Sequence, residues 1–69
     1  MKPLTDKQKQ IVIEMAENDM SIVGVGRAIG ISPSSVKGQI ANIAMKTGLD
    51  PRCFYDLVEL IDIVREEQV

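Results

Sequence analysis

The chain has 69 residues, with eight lysines and arginines against ten aspartates and glutamates, and a formal net charge of −2. This length predicts a single domain, and one cysteine without any histidine excludes an internal disulfide and a zinc site. There is no stretch of about 20 apolar residues for a membrane span, and no charged-then-apolar leader. We therefore expect a globular cytoplasmic domain that has no membrane partner, metal or cofactor. Without histidine no Ser/His/Asp set can form, so we do not expect an enzyme.

Charge is distributed unevenly along the chain. Residues 22–54 carry four basic side chains against Asp50 alone, whereas residues 55–69 carry Arg65 against five acidic side chains. The net charge taken as a whole argues against nucleic-acid binding. The basic middle segment keeps that function open.

Helix-start and helix-stop signals recur along the chain and predict four helices. The predicted caps are Thr5, Ser21, Ser32 and Asp50. Proline follows the last two caps, while Gly30 and Gly48 end the second and third helices. The predicted helices span about residues 6–18, 22–29, 33–47 and 51–66. The predicted apolar face of the fourth helix consists of Phe54, Leu57, Val58, Ile61 and Val64, and Cys53 is expected in its first turn as a partly buried residue.

The link between the second and third helices is short and contains glycine. Gly26 places a small residue where the third helix crosses the second, Gly30 lies at the turn, and Val36 is the apolar residue that packs back into the angle. This combination is typical of a helix-turn-helix, although an ordinary helical hairpin is the alternative. We therefore predict an all-α fold, a small four-helix domain containing a helix-turn-helix.

The sequence resembles the LuxR-type (GerE-like) DNA-binding domain over about residues 4–61. The recognition phrase of that family, serine, two residues, threonine, valine, lysine, stands here with serine in place of threonine, as Ser32-Pro33-Ser34-Ser35-Val36-Lys37. Further matches are Leu4-Thr5, Ile11-Val12, Met15-Ala16, Gly30-Ile31, Ile43, Lys46 and Leu57-Val58. The resemblance implies that the third helix lies in the DNA major groove and that the fourth supports a dimer, as in free-standing members.

The outward side of the third helix is the expected DNA-reading face. With Val36 at the centre of the buried side, this face holds Ser34, Lys37, Gly38, Ala41, Asn42 and Met45. Lys37 can bond guanine or a phosphate, Asn42 and Gln39 can reach adenine or the backbone, and serines can donate to phosphates. Arg27, Lys46 and Arg52 are either phosphate anchors or ordinary surface cations. The candidate DNA-binding residues are Ser32, Ser34, Ser35, Lys37, Gly38, Gln39, Ala41, Asn42 and Lys46.

Two functions of different class remain open. The first is a DNA-binding transcription regulator that binds double-stranded DNA as a homodimer through the fourth helix. Its expected subunit contacts are Leu57, Leu60, Ile61, Ile63 and Val64. The second is a protein-interaction module on the same fold that binds and inhibits another transcription regulator. It is favoured by the apolar start of the second helix at Ile22-Val23 and by the acidic tail.

Overall fold

The computed structural model describes residues 3–67, which form four helices joined by short connections. These are α1 (Asp6–Glu17), α2 (Ile22–Ile29), α3 (Pro33–Thr47) and α4 (Phe54–Glu67). No strand occurs within residues 3–67, so the predicted all-α, four-helix class is confirmed. The bounds of α2 and α3 agree with the prediction, and α1 ends one residue earlier, with Asn18 as its C-cap.

The first three helices begin at the side chains that the sequence predicts. Thr5 accepts a hydrogen bond from the Gln8 amide at 3.1 Å, and the Gln8 side chain accepts one from the Thr5 amide at 3.0 Å. This pair is the predicted capping box, in which each side chain satisfies a backbone N–H that the helix leaves open. Ser21 and Ser32 cap α2 and α3 by accepting from the backbone three residues later.

The start of α4 differs from the prediction: the helix begins at Phe54 rather than at residue 51. The Asp50 carboxylate accepts a hydrogen bond from the Arg52 amide at 2.9 Å, and the Asp50 carbonyl accepts one from the Cys53 amide at 2.9 Å. These bonds close a tight turn, since an aspartate side chain that bonds the backbone two residues on competes with helix formation. Cys53 therefore precedes the helix, and it is exposed rather than partly buried.

Helix α1 packs against each of the other three helices, α2 also packs against α3, and α4 packs against α1 alone among the described helices. Their shared interior is aliphatic and almost free of solvent. It consists of Leu4, Ile11, Val12, Met15, Val25, Val36, Ile40, Ile43, Leu57, Leu60 and Val64. None of the described helices combines the length and the apolar character that crossing a membrane requires.

The buried face of α4 is rotated relative to the prediction. Leu60 is completely buried and takes part in the core, whereas Phe54 and Val58 are exposed. The reason is that α4 has a single helical neighbour, which covers only the stripe of side chains centred on Leu57 and Val64.

The predicted subunit contact needs the same correction. Leu57, Leu60 and Val64 lie inside the protomer, so the prediction that they contact a second copy is wrong. Helix α4 carries more apolar residues than a single face requires, and its packing against α1 places these three in the core. Ile61 and Ile63 are half-buried at the two edges of the stripe, and for them the contact stays a prediction.

The crossing of α2 and α3 depends on a close approach at Gly26. The Gly26 carbonyl accepts a hydrogen bond from the Ile31 amide at 2.9 Å and one from the amide of Gly30, which has a left-handed φ of +74°. A Cβ atom on Gly26 would lie 2.7 Å from the Ile31 carbonyl oxygen and 3.6 Å from the Val36 side chain. Only glycine fits this position without displacing the turn backbone.

We predict that Gly26→Ala destabilises the domain by roughly 1–3 kcal/mol, because the steric conflict with a backbone oxygen outweighs the helix propensity gained. Gly38→Ala is the matched control, since a Cβ atom there meets nothing within 4 Å. We expect it to raise the stability by about 0.5–1 kcal/mol. Urea unfolding followed by circular dichroism measures both, and a Gly26→Ala domain as stable as the native one would contradict the close approach.

Candidate nucleic-acid interface

The outward side of α3 is exposed along its whole length. Val36, Ile40 and Ile43 hold the opposite side of the helix in the core. All six residues predicted for the outward face are exposed: Ser34, Lys37, Gly38, Ala41, Asn42 and Met45. Met45, with 84% of its surface accessible, is the most exposed large apolar residue of the described chain. The six residues predicted for the outward face therefore lie on one exposed side of α3.

The first turn of α3 offers limited capacity to bind an anion. The Ser32 hydroxyl accepts from the Ser35 amide at 3.2 Å and donates to the Ser35 hydroxyl at 3.1 Å. Pro33 has no N–H, and the Val36 amide donates to the Ser32 carbonyl at 3.1 Å. Among residues 3–67 this leaves the Ser34 amide as the open N–H of the turn, beside an exposed Ser34 hydroxyl. A phosphate oxygen would find one backbone donor there and the neighbouring serine hydroxyls.

Lys46 is directed to a different part of the molecule. Its amino group donates to the Gln8 side-chain oxygen at 2.9 Å and to the Pro3 carbonyl at 3.3 Å. Gln8 is itself buried, and the same oxygen accepts from the Thr5 amide. The structure thus places the Lys46 amino group at the start of α1 and not beside Lys37. Gln39, another predicted contact, is half-buried at the edge of α3.

Arg52 is also held within the chain. Its guanidinium contacts the Asp50 carboxylate through Nε at 3.2 Å and through Nη2 at 3.3 Å. These side-chain hydrogen bonds, with the one from the Arg52 amide, hold the pKa of Asp50 below its ordinary value. Both side chains are well exposed, so the pair adds little to stability.

Two cations of the basic middle segment remain exposed on the packed helices α2 and α3. Arg27 lies in the last turn of α2, and Lys37 lies one turn into α3. Both are exposed, and neither makes an ion pair with any residue of the described range 3–67. Of the four basic side chains in residues 22–54, Lys46 and Arg52 are held by contacts within the chain. Two, Arg27 and Lys37, are therefore available to an anionic ligand.

Comparison with known proteins does not assign this surface. No protein-family model, curated protein or solved structure matches the chain. Among residues 3–67, no group of three cysteine, aspartate or glutamate side chains is arranged to hold a metal ion.

We predict that Lys46→Ala lowers the free energy of unfolding by about 1 kcal/mol, because it leaves the buried Gln8 oxygen with one partner fewer. Lys37→Ala removes an exposed lysine from the same helix and should change stability by less than about 0.5 kcal/mol. Urea unfolding of both variants provides the measurement. Equal, negligible effects would show that the Lys46 contact is not maintained in solution.

The ion pair at Asp50 predicts a specific dependence of stability on pH. Because its pKa is lower in the folded chain, Asp50 stabilises the fold above the ordinary aspartate value, and this contribution is lost as pH falls through the lowered value. The native domain should therefore lose its advantage over Asp50→Asn progressively as pH falls below about 4. Urea unfolding of both proteins at pH 6 and pH 3 tests this. A constant difference between them would contradict the assignment.

Proposed function

We propose that this chain is a small DNA-binding transcription regulator whose α3 enters the major groove. The observation that carries the proposal is the continuous exposed face of α3, which begins at a capped helix N-terminus where the Ser34 amide is open. The short turn from α2 into α3 acts as a helix-turn-helix in this proposal, of the LuxR type that the sequence resembles.

The dimensions and side chains of α3 suit a major groove. Its 15 residues give a rod about 22 Å long, and a B-DNA major groove about 12 Å wide accepts one α-helix. Gly38 and Ala41 have little or no side chain, so the backbone can approach base edges closely. Lys37 then reaches a guanine or a phosphate, and Asn42 reaches an adenine. Ala41 is suited to contact a thymine methyl group.

Phosphate contacts would position the helix without reading sequence. Arg27 on α2 and Lys37 on α3 supply the charge, and the Ser34 amide and hydroxyl supply neutral donors at the N-terminus of α3. Two cations release few counterions, so binding to DNA of arbitrary sequence should be weak. A specific site would gain from base contacts, and two neighbouring copies on DNA would gain from avidity.

A single protomer is enough to place one α3 in a major groove. The proposal therefore does not require the predicted homodimer through α4. Three of the five residues expected at that contact are buried inside the protomer. A homodimer would supply twice the number of cations, and it stays a prediction that sedimentation of the free protein can examine.

The second candidate function is the protein-interaction module that binds another transcription regulator. It is favoured by Met45 on α3 and by Val23 on α2, which has 51% of its surface exposed. Methionine suits adaptable protein contacts, whereas it offers a base edge no hydrogen bond. The two candidates differ in which residue matters, because DNA binding needs Lys37 and a protein partner on this face needs Met45.

We predict that duplex DNA of mixed sequence binds the native protein with an affinity that falls with salt, at a logarithmic slope of about −2. Lys37→Ala and Arg27→Ala should each make this slope shallower by about 1, because each removes one phosphate contact. Lys7→Ala, an exposed lysine on α1, should leave it unchanged. Fluorescence anisotropy at several salt concentrations measures all four proteins.

Two outcomes contradict the proposal. No binding at low salt by a folded native sample would exclude DNA as the general ligand of this surface. A slope that Lys7→Ala reduces as much as Lys37→Ala would show diffuse attraction instead of contact through α3.

A further inference from the structure

A shallow groove runs between α1 and α4, on a side of the molecule separate from the α3 face. Its lining residues are Ile13, Ala16, Glu17, Ile61, Val64 and Arg65. Val58 and Phe54 precede Ile61 by three and seven residues, so helical spacing continues the same row along α4 beyond the groove. The result is an apolar track that follows the axis of α4.

This track exposes an unusual amount of apolar surface for so small a chain. The exposed fractions of Phe54, Tyr55 and Val58 are 61%, 81% and 46%, and the two rings contact each other edge to face at 5.9 Å. Helix α4 packs against α1 alone, so no other described helix covers these side chains. A contiguous exposed apolar patch of this kind marks a contact site for another molecule.

The surroundings of the track are acidic. Glu59, Asp62 and Glu66 are exposed on α4, and Glu17 lies on the α1 side of the groove. Asp50 and Arg52 form the one ion pair found within residues 3–67. These four carboxylates therefore have no cationic partner within that range. Arg65 is the one basic side chain of α4.

We propose that the groove between α1 and α4 binds a basic amphipathic helix of another protein. The apolar stripe of that helix would lie along Ile13, Ile61, Val58 and Phe54, in the way that amphipathic helices occupy hydrophobic grooves. Lysines or arginines beside the stripe would pair with the surrounding carboxylates, which favours basic partners over acidic ones. The groove volume of about 280 Å³ is at or below the size of a small-molecule pocket and suits a few inserted side chains.

Charge argues against a second copy of this chain as the occupant. A two-fold contact places the same patch of each copy against the other. Glu59, Asp62 and Glu66 of both copies would then face one another with Arg65 as the only basic residue of each helix. Like charges placed opposite each other oppose association.

The partner site does not depend on the DNA proposal, because it uses α1 and α4 and leaves α3 free. DNA and the helical partner can therefore bind at the same time. Failure of one would leave the other standing, since Lys37 belongs to the first surface and Val58 to the second.

The test uses the full chain and a synthetic 18-residue helix of leucine and lysine, with the leucines on one face. We expect this peptide to bind, and Val58→Ser or Phe54→Ser to weaken its binding at least tenfold. Asp62→Asn should weaken it two- to threefold. Isothermal titration calorimetry gives the affinities, and circular dichroism of each variant verifies that the domain is folded.

Matched controls keep the test specific. Met45→Ser removes an apolar side chain from α3 that is more exposed than Phe54 or Val58. Asp19→Asn removes a carboxylate outside the groove, where asparagine tolerates the left-handed φ of +52°. Both should bind within twofold of the native protein. A scrambled peptide of the same composition should bind at least tenfold more weakly than the amphipathic one.

Three results would overturn the proposal. The first is equal binding of the amphipathic and scrambled peptides, which would show attraction by charge alone. The second is a loss of affinity in Met45→Ser as large as in Val58→Ser, which would move the contact to α3. The third is a native dimer in sedimentation velocity that Val58→Ser converts to a monomer, which would make the occupant a second copy.

Discussion

The close contact between Gly26 and the turn that follows α2 is the constraint on which the rest of the structure depends. A side chain on Gly26 would collide with the Ile31 carbonyl oxygen, so the backbone of α2 can approach this turn only because glycine is present. The left-handed Gly30 then reverses the chain, and Val36 of α3 packs into the angle. This geometry rotates α3 so that its aliphatic side completes the core while its small and polar side meets solvent. The proposed DNA contact is a consequence of that rotation.

Polar contacts within the chain decide which charges remain available at the surface. Nothing in the sequence distinguishes Lys46 and Arg52 from Lys37 as candidate surface cations. In the structure, Lys46 donates a hydrogen bond to Gln8 and Arg52 forms an ion pair with Asp50. Two contacts between distant residues stabilise the ends of helices. The Lys46 amino group reaches the start of α1, and the Glu67 carboxylate accepts a hydrogen bond from the Leu4 amide at 3.1 Å. Within residues 3–67 the molecule therefore has an α3 side with two cations that form no ion pair, and an α4 side whose exposed carboxylates form none either. Two different partners, one anionic and one cationic, match these two sides.

Local signals predicted most of the fold, and contacts between distant residues account for the rest. The bounds of α2 and α3 follow from a capping serine at the start of each helix and a left-handed glycine at its end. Both signals are local and need no knowledge of the remaining chain. The start of α4 could not be predicted in this way, because aspartate followed by proline suits both a helix cap and a tight turn. The face of α4 was ambiguous because Phe54, Leu57 and Leu60 lie on overlapping stripes, and only packing against α1 selects Leu60. The contact of Lys46 with Gln8 spans 38 residues and leaves no local pattern.

The measurement that tests the central claim most directly is amide chemical-shift mapping of the ¹⁵N-labelled protein with a short DNA duplex at low salt. If α3 lies in the major groove, the largest shift changes will fall on Arg27 and on residues 32–45, and α4 will remain almost unchanged. Changes concentrated on α4, or a folded protein whose spectrum does not respond to DNA, would contradict the account.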